Sequence, residues 1–358
     1  MVPKIRVLIV DDSATARVIL SKHLATDPEI EVIGWACDGV EALEKIRALR
    51  PQVVTLDVRM PRMDGVQALE QIMKDSPTPV IMVSALTREG AQITVRALEL
   101  GAVDFVLKPT RGGVPALHEV TDDLCSKVRS AARANVLASV AAAHESKIRP
   151  RMAPPTKSIS AWQDNAVVIA SSTGGPQALS SVLTSLPADT AVPILVVQHM
   201  PEGFTGPLAE RLNELGPLRV EEAQPGSKLV RGQVLVAPGG QHMTVAGSGE
   251  VRLNDGAKEC GVRPSANVTM ESVAQVYGAA TVGVILTGMG RDGTRGAGLI
   301  RAAGGKVIAQ DEPSCVVNGM PKSVVRAGYA DRVVPLPRIA SEVARMCRAR
   351  PRREEAKA

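Results

Sequence analysis

The strongest constraint on the fold is an alternation of two patterns. In residues 1–125 the aliphatic runs RVLIV, EVIGWA, VVTLDV, PVIMVSA and DFVLKP are separated by stretches such as ARVILSKHLA, GVEALEKIRAL and VQALEQIMK. The former read as strands, the latter as amphipathic helices. Runs that are apolar at nearly every position belong to strands buried on both faces, as in a parallel sheet covered by helices. Composition agrees: 45% of residues are hydrophobic but only 2% aromatic, so the cores must be packed from Val, Ile, Leu, Ala and Met. The alternation resumes as AVVIAS, PILVVQHM, ATVGVILTGMG, GKVIAQ and ADRVVPL. It is broken once by QVLVAPGGQHMTVAGSGEVRLND, whose Gly-rich turns read as hairpin strands. Ligands of such α/β sheets bind beyond the carboxyl ends of the strands, so the residues closing each run are where chemistry is to be sought.

At 358 residues the chain is long for one core. The expected division is a flavodoxin-like (βα)5 domain over 1–125, a linker over 126–163, a doubly wound α/β domain with a β-hairpin insertion over 164–347, and a charged tail over 348–358. The linker is Ala-rich, where it could extend the preceding helix, then basic and Pro-rich (HESKIRPRMAPPTKSIS). Roughly 20 flexible residues have an r.m.s. span of about 25 Å, enough for two domains to dock or separate. The net charge of +5 is unevenly placed: residues 126–163 carry 7 Lys/Arg against 1 Asp/Glu, whereas residues 1–125 carry 14 against 18. With no helix-turn-helix pattern or basic stripe, nucleic acid is not an expected partner. No run approaches the 18 or so apolar residues of a membrane span, and the start lacks a signal-peptide cleavage pattern. Five scattered cysteines, an odd number, fit a reducing cytoplasm better than a disulfide or zinc framework.

In the first half, Asp11 and Asp12 follow the first run, Asp57 lies in the third, Ser84 ends the fourth, and Lys108 ends the fifth. All five converge on one rim of the sheet. Three such carboxylates repel unless a hard cation sits among them, and Mg²⁺ fits. A carboxylate beside that metal, a hydroxyl and a lysine can accept a phosphoryl group. The segments DDS (11–13), LDVRMPRMDG (56–65), SA (84–85) and KP (108–109) resemble, in order, the receiver domains of two-component signalling. The resemblance implies that Asp57 takes phosphate from a histidine kinase, with Mg²⁺ held by Asp11, Asp12 and Asp57. It also places Phe105 at the aromatic position that often changes rotamer on phosphorylation.

The second half opens with VVIASSTGGP (167–176), a strand leading into a tight turn and a helix. The turn either cradles a phosphate or presents a nucleophile. It has neither the Gly-Lys-Ser/Thr of a P-loop nor a G-x-G-x-x-G fingerprint, so a nucleotide site is weakly supported. A nucleophile needs a base and an orienting acid at neighbouring strand ends. PILVVQHM supplies His199 and VILTGMGRDG supplies Asp292. Taken singly, Ser172 could cap a helix, His199 could be a satisfied buried histidine, and Asp292 could cap the helix beginning near Thr294. Ser171 rivals Ser172, since adjacent strand residues face opposite sides, and His242 rivals His199. Spacing alone leaves those pairs open.

The segments ASSTGGP (170–176), QHMPEGFT (198–205), APGGQHM (237–243), LTGMGRDG (286–293) and QDEPSCVVNGMP (310–321) together resemble the catalytic domain of the chemotaxis protein-glutamate methylesterases, the CheB family. The resemblance implies a nucleophile at Ser172, a base at His199, and Asp292 as its partner. The backbone amide of Met289 is the leading oxyanion donor. It further implies a cytoplasmic enzyme, with no catalytic metal, that hydrolyses glutamyl methyl esters on chemoreceptors and in many members deamidates receptor glutamines. A CheA-type histidine kinase would be its phosphodonor, and the unphosphorylated receiver would cover the Ser172 rim. Two other readings are a phosphorylation-dependent interaction module with an inactive hydrolase domain, and a nucleotide-binding output domain.

Overall fold

The computed structural model describes residues 3–108, 117–136 and 165–348. Pro109, the linker beyond 136 and the tail beyond 348 lie outside the described residues.

The first domain runs β1 (Ile5–Val10), α1 (Ala14–Leu24), β2 (Ile30–Ala36), α2 (Gly39–Leu49), β3 (Val53–Asp57), α3 (Gly65–Asp75), β4 (Val80–Ser84), α4 (Arg88–Glu99), β5 (Asp104–Leu107) and α5 (Leu117–Ala131). Its five strands are parallel in the order β2-β1-β3-β4-β5. The helices start where capping side chains take up first-turn amides: Ser13 from Ala16, Asp38 from Val40 and Glu41, Asp64 from Gln67, and Thr87 from Gly90. Helix α5 continues to Ala131, past the expected boundary at 125, as the Ala-rich composition allows.

The second domain runs β6 (Ala166–Ser171), α6 (Gly175–Ser185), β7 (Ile194–Gln198), α7 (Thr205–Leu215), β8 (Arg219–Glu222), β9 (Gln233–Val236), β10 (His242–Val245), β11 (Val251–Asn254), α8 (Ala266–Tyr277), β12 (Thr281–Ile285), α9 (Thr294–Ala302), β13 (Lys306–Gln310), α10 (Met320–Arg326), β14 (Arg332–Val334) and α11 (Leu336–Cys347). Seven strands form a parallel sheet in the order β14-β13-β12-β6-β7-β9-β8. The chain leaves β6 towards β7 and later returns to β12 on its other side, so the switch of direction falls at β6. Two differences from the sequence reading stand out. QVLV, read as part of the hairpin, is β9 of the main sheet, and only β10 and β11 form the separate antiparallel pair. The edge strand β8, RVEE, is short and charged, as edges tend to be, and so escapes a search for apolar runs.

The two domains are packed together. One apolar cluster runs from the receiver-like core into the layer formed by α6, α7 and α11. The contact is made by α4 and β5 against the start of α6 and against α7, and by α5 against Met289 in the loop after β12. Gly174 N–H donates to Val103 O at 3.2 Å, Gln177 Nε2 donates to Leu98 O, and Arg211 Nε reaches both Glu99 oxygens at 3.0 Å. Phe105 stacks on Phe204 with ring centroids 4.5 Å apart.

The turn between β6 and α6 explains the glycine pair. Gly174 has φ +75°, a left-handed conformation, and Pro176 opens the helix. A side chain on Gly175 would put Cβ 1.9 Å from Gln198 Oε1 and 2.9 Å from Ser171 Cβ. Gly175→Ala is therefore expected to prise β6 from β7 at their carboxyl ends and to lower Tm by at least about 5 °C in thermal unfolding.

Candidate active site

Strands β12, β6 and β7 lie side by side in the centre of the sheet, with Ser171 paired to Gln198 at the last rung. Ser172, His199 and Asp292 all follow the carboxyl ends of these three strands. The rival serine is already engaged. Ser171 is fully buried and its hydroxyl donates to Gln198 Oε1 at 2.7 Å, while Gln198 Nε2 donates to the carbonyls of Ser172 and His199. Ser171 thus ties the strand ends together. Ser172, one residue on, is partly exposed, and its hydroxyl makes no hydrogen bond to a described residue.

His199 Nε2 meets Asp292 Oδ2 at 2.8 Å, with the two side chains only 9% and 2% exposed. That bond joins the loop after β7 to the loop after β12, and so passes over the end of β6, which lies between them. Asp292 also accepts from Ser265 Oγ at 2.8 Å, from Ala266 N–H at 2.6 Å and from Asn267 N–H at 3.1 Å. Burial pushes its carboxyl pKa up, but the bonds from His199, Ser265 and Ala266 outweigh that and hold it below the ordinary carboxylate range. The ionised oxygen takes the Nε2 proton, so the lone pair of the neutral ring lies on Nδ1. No hydrogen bond from Ser172 Oγ to that nitrogen is formed here; such bonds are often long before substrate enters.

The capping role imagined for Asp292 falls on a different helix. Helix α9 begins after Gly293 without a side-chain cap, whereas Asp292 takes the first amides of α8. Ser265, Ala266 and Asn267 are the partners that sequence reasoning missed: they lie more than 20 residues upstream, and nothing in their spacing announces the contact. His242 is buried and occupied at both nitrogens, with Nδ1 3.2 Å from Ser265 N and Nε2 3.0 Å from Ala257 O. It has no nitrogen left for the nucleophile.

Gly288 packs against Ser172, where a Cβ would lie 2.8 Å from Ser172 Cβ. The next amide, Met289 N–H, donates to no acceptor among the described residues. The Met289 side chain faces the other domain, with Sδ 2.7 Å from Ser130 Oγ and 3.5 Å from Ser126 Oγ on α5.

On the first domain the carboxylates of Asp11, Asp12 and Asp57 offer oxygens all within 4.8 Å of one another. Lys108 Nζ lies 3.0 Å from Asp11 Oδ2 and 2.7 Å from Asp57 Oδ2. Burial raises the Asp57 pKa, against the pull of Lys108. Asp11 Oδ2 is buried without a well-aligned hydrogen bond, and three oxygen donors of this kind suit a hard divalent cation such as Mg²⁺. Ser84 points elsewhere. Its Oγ accepts from Thr94 Oγ1 of α4 at 2.8 Å, and Phe105 lies buried against Phe204.

Comparison with known proteins bears on both halves. Residues 167–343 match the CheB methylesterase family and residues 7–118 the response regulator receiver domain. A protein-glutamate methylesterase/protein-glutamine glutaminase of Symbiobacterium thermophilum is 48% identical over 95% of this chain and 96% of its own length. One of the same name from Pyrococcus abyssi is 44% identical over 96% and 93%. The chain belongs to the CheB family. Among solved structures, the CheB methylesterase catalytic domain of Thermotoga maritima is 45% identical with a TM-score of 0.50, covering 51% of this chain and 99% of that one. The α/β architecture of both halves is thus that of the family, and no described helix is long and apolar enough to cross a membrane.

The carboxylate of Asp292 is a structural group whatever chemistry it serves. Asp292→Ala would leave the Ser265 hydroxyl and two helix amides buried without acceptors. Its expected cost is about 3 kcal/mol or more, read as a fall in Tm that Ser172→Ala does not share.

Proposed function

We propose that this chain is a phosphorylation-regulated serine esterase that removes methyl groups from glutamyl γ-methyl esters of chemoreceptors, releasing methanol. Its relatives' names extend the reading to deamidation of receptor glutamines. The observation that carries it is the His199–Asp292 bond lying across the end of the strand that leads into Ser172.

In this reading Ser172 Oγ attacks the ester carbonyl and passes its proton to His199 Nδ1. Asp292 holds the ring through Nε2 and stabilises the imidazolium. His199 returns the proton to the departing methoxide, and water then cleaves the acyl-enzyme by the same route. The unpaired Met289 amide is the leading donor to the oxyanion; losing a donor of this kind costs about 3–4 kcal/mol. A nucleotide-binding domain gains nothing here, since Gly174 N–H at the turn is spent on Val103 O, and the relatives' names favour an esterase over an inactive interaction module.

Asp57 is the proposed phosphoryl acceptor, with a histidine kinase as donor. When bound, Mg²⁺ held by Asp11, Asp12 and Asp57 would offset charge on the phosphoryl oxygens, while Lys108 sits ready for one of them. Ser84, at the end of β4, is tied to α4 through Thr94, and α4 carries Glu99 into the domain interface; on phosphorylation Ser84 would have to turn from Thr94 to reach the pocket. The docked receiver covers the turn that presents Ser172: Thr173 Oγ1 donates to Asp104, Gly174 to Val103 and Gln177 to Leu98. Phosphorylation would release those contacts and admit the receptor.

Ser172→Ala should abolish methanol release from methyl-labelled receptors and leave Asp57 phosphorylation intact. Ser171→Ala should lower Tm yet retain hydrolysis, and the opposite pattern would reassign the nucleophile. On the regulatory side, Glu99→Ala removes the partner of Arg211 across the interface, leaving Arg211 paired with Glu214 on its own helix and the catalytic domain untouched. It is expected to raise the unphosphorylated rate about threefold or more, measured without phosphodonor; an unchanged rate would count against the docked state as the inhibited one.

A further inference from the structure

The APGGQHM segment and the antiparallel pair β10–β11 have no part in the reaction as derived so far. We propose that His242 is a positioning residue: by accepting the Ser265 amide it fixes the Ser265 hydroxyl on Asp292, and thereby fixes the ring of His199. The proposal rests on the reading of His199 and Asp292 as the working pair.

A backbone N–H can only donate, so His242 Nδ1, 3.2 Å from Ser265 N, must be the unprotonated nitrogen. The proton then sits on Nε2 and is given to Ala257 O at 3.0 Å. Both neighbours select the same neutral tautomer, and the ring is 2% exposed, so no water competes for either nitrogen. From Ser265 the chain of bonds continues without a gap. Ser265 Oγ donates to Asp292 Oδ1 at 2.8 Å, and Asp292 Oδ2 receives His199 Nε2 at 2.8 Å. The ring itself is held by β10, which packs on α8: Thr269 Oγ1 donates to Met243 O at 2.7 Å, and Val245 N–H to Ser272 Oγ at 3.1 Å. The insertion is thus a brace for the helix start that carries the carboxylate.

Two near-isosteric substitutions cut the brace at opposite ends. Asn places its carbonyl oxygen where Nδ1 stands and keeps the acceptor for Ser265. Gln reaches the Nε2 position and keeps the bond to Ala257 while losing the acceptor. With the full chain, a phosphodonor and methyl-esterified receptor fragments, H242N should keep kcat within about threefold. H242Q should lower kcat about tenfold or more with KM little changed. A general loss of folding would instead lower Tm and activity together in both variants. Because the effect runs through Ser265, H242Q/S265A should be no slower than S265A by more than about twofold.

Undiminished kcat in H242Q, a loss in H242N equal to that in H242Q, or multiplying losses in the double variant would overturn the proposal. If H242Q fails to fold, H242N and its comparison with S265A still decide. Full activity in H199A would sink the reading of the site and this proposal with it. An inactive H199A beside an undiminished H242Q would overturn the proposal alone.

Discussion

The carboxylate of Asp292, seated at the amino end of α8, is the point on which the site depends. It gathers four donors from two other parts of the chain: the imidazole after β7, and a hydroxyl and two amides from the start of α8. Each donor lowers the free energy of the charged form, and the positive end of a helix adds to them. A buried carboxylate without such partners would take up a proton and could no longer hold an imidazole in one tautomer. Here four partners keep it ionised, so the ring presents a lone pair on its remaining nitrogen. The hairpin insertion makes sense in the same terms, because it holds the helix that holds the carboxylate.

The same architectural rule operates twice in this chain. Parallel strands end together at one rim, and polar residues placed there meet although they are far apart in sequence. In the first domain the rule assembles an acidic pocket from β1, β3 and β5; in the second it pairs an imidazole after β7 with a carboxylate after β12, across the end of the strand that leads to Ser172. The α4–β5 side of the first domain meets helices α6 and α7 of the second, so that oxygens of the α4–β5 region occupy donors at the turn that follows Ser172. Under the proposed function, occupied donors there would exclude an incoming receptor segment, and that exclusion would be the physical content of inhibition by docking. The interface pair Arg211–Glu99 is partly open to solvent on the arginine side, which weakens it relative to a fully buried pair.

Much of this was legible in the sequence, for a reason that also marks the limit. Buried parallel strands are continuous apolar runs, so both sheets, their order of elements and the strand-end residues could be read directly. Charged or short strands could not: β8 was missed, and β9 was assigned to the hairpin because its neighbours are glycine-rich. Between Ser171 and Ser172 the proposed choice rests on a glutamine, Gln198, one rung across the sheet. Between His199 and His242 it rests on acceptors and donors at Ala257 and Ser265. Such partners are set by packing in three dimensions, and local pattern has no register of them. Ser84 shows the same limit from the other side, since its strand-end place was evident and its turn towards Thr94 was not.

An aliphatic interior has an unforeseen use. The chain contains only two phenylalanines, and these are the two rings stacked across the domain boundary. One, Phe105, lies in β5 of the first domain, and the other, Phe204, lies five residues after His199. Fluorinated phenylalanine incorporated during expression would therefore give just two ¹⁹F resonances, both sited at the seam. The composition of this protein has, in effect, left its regulatory joint as the sole place that such a label can light up.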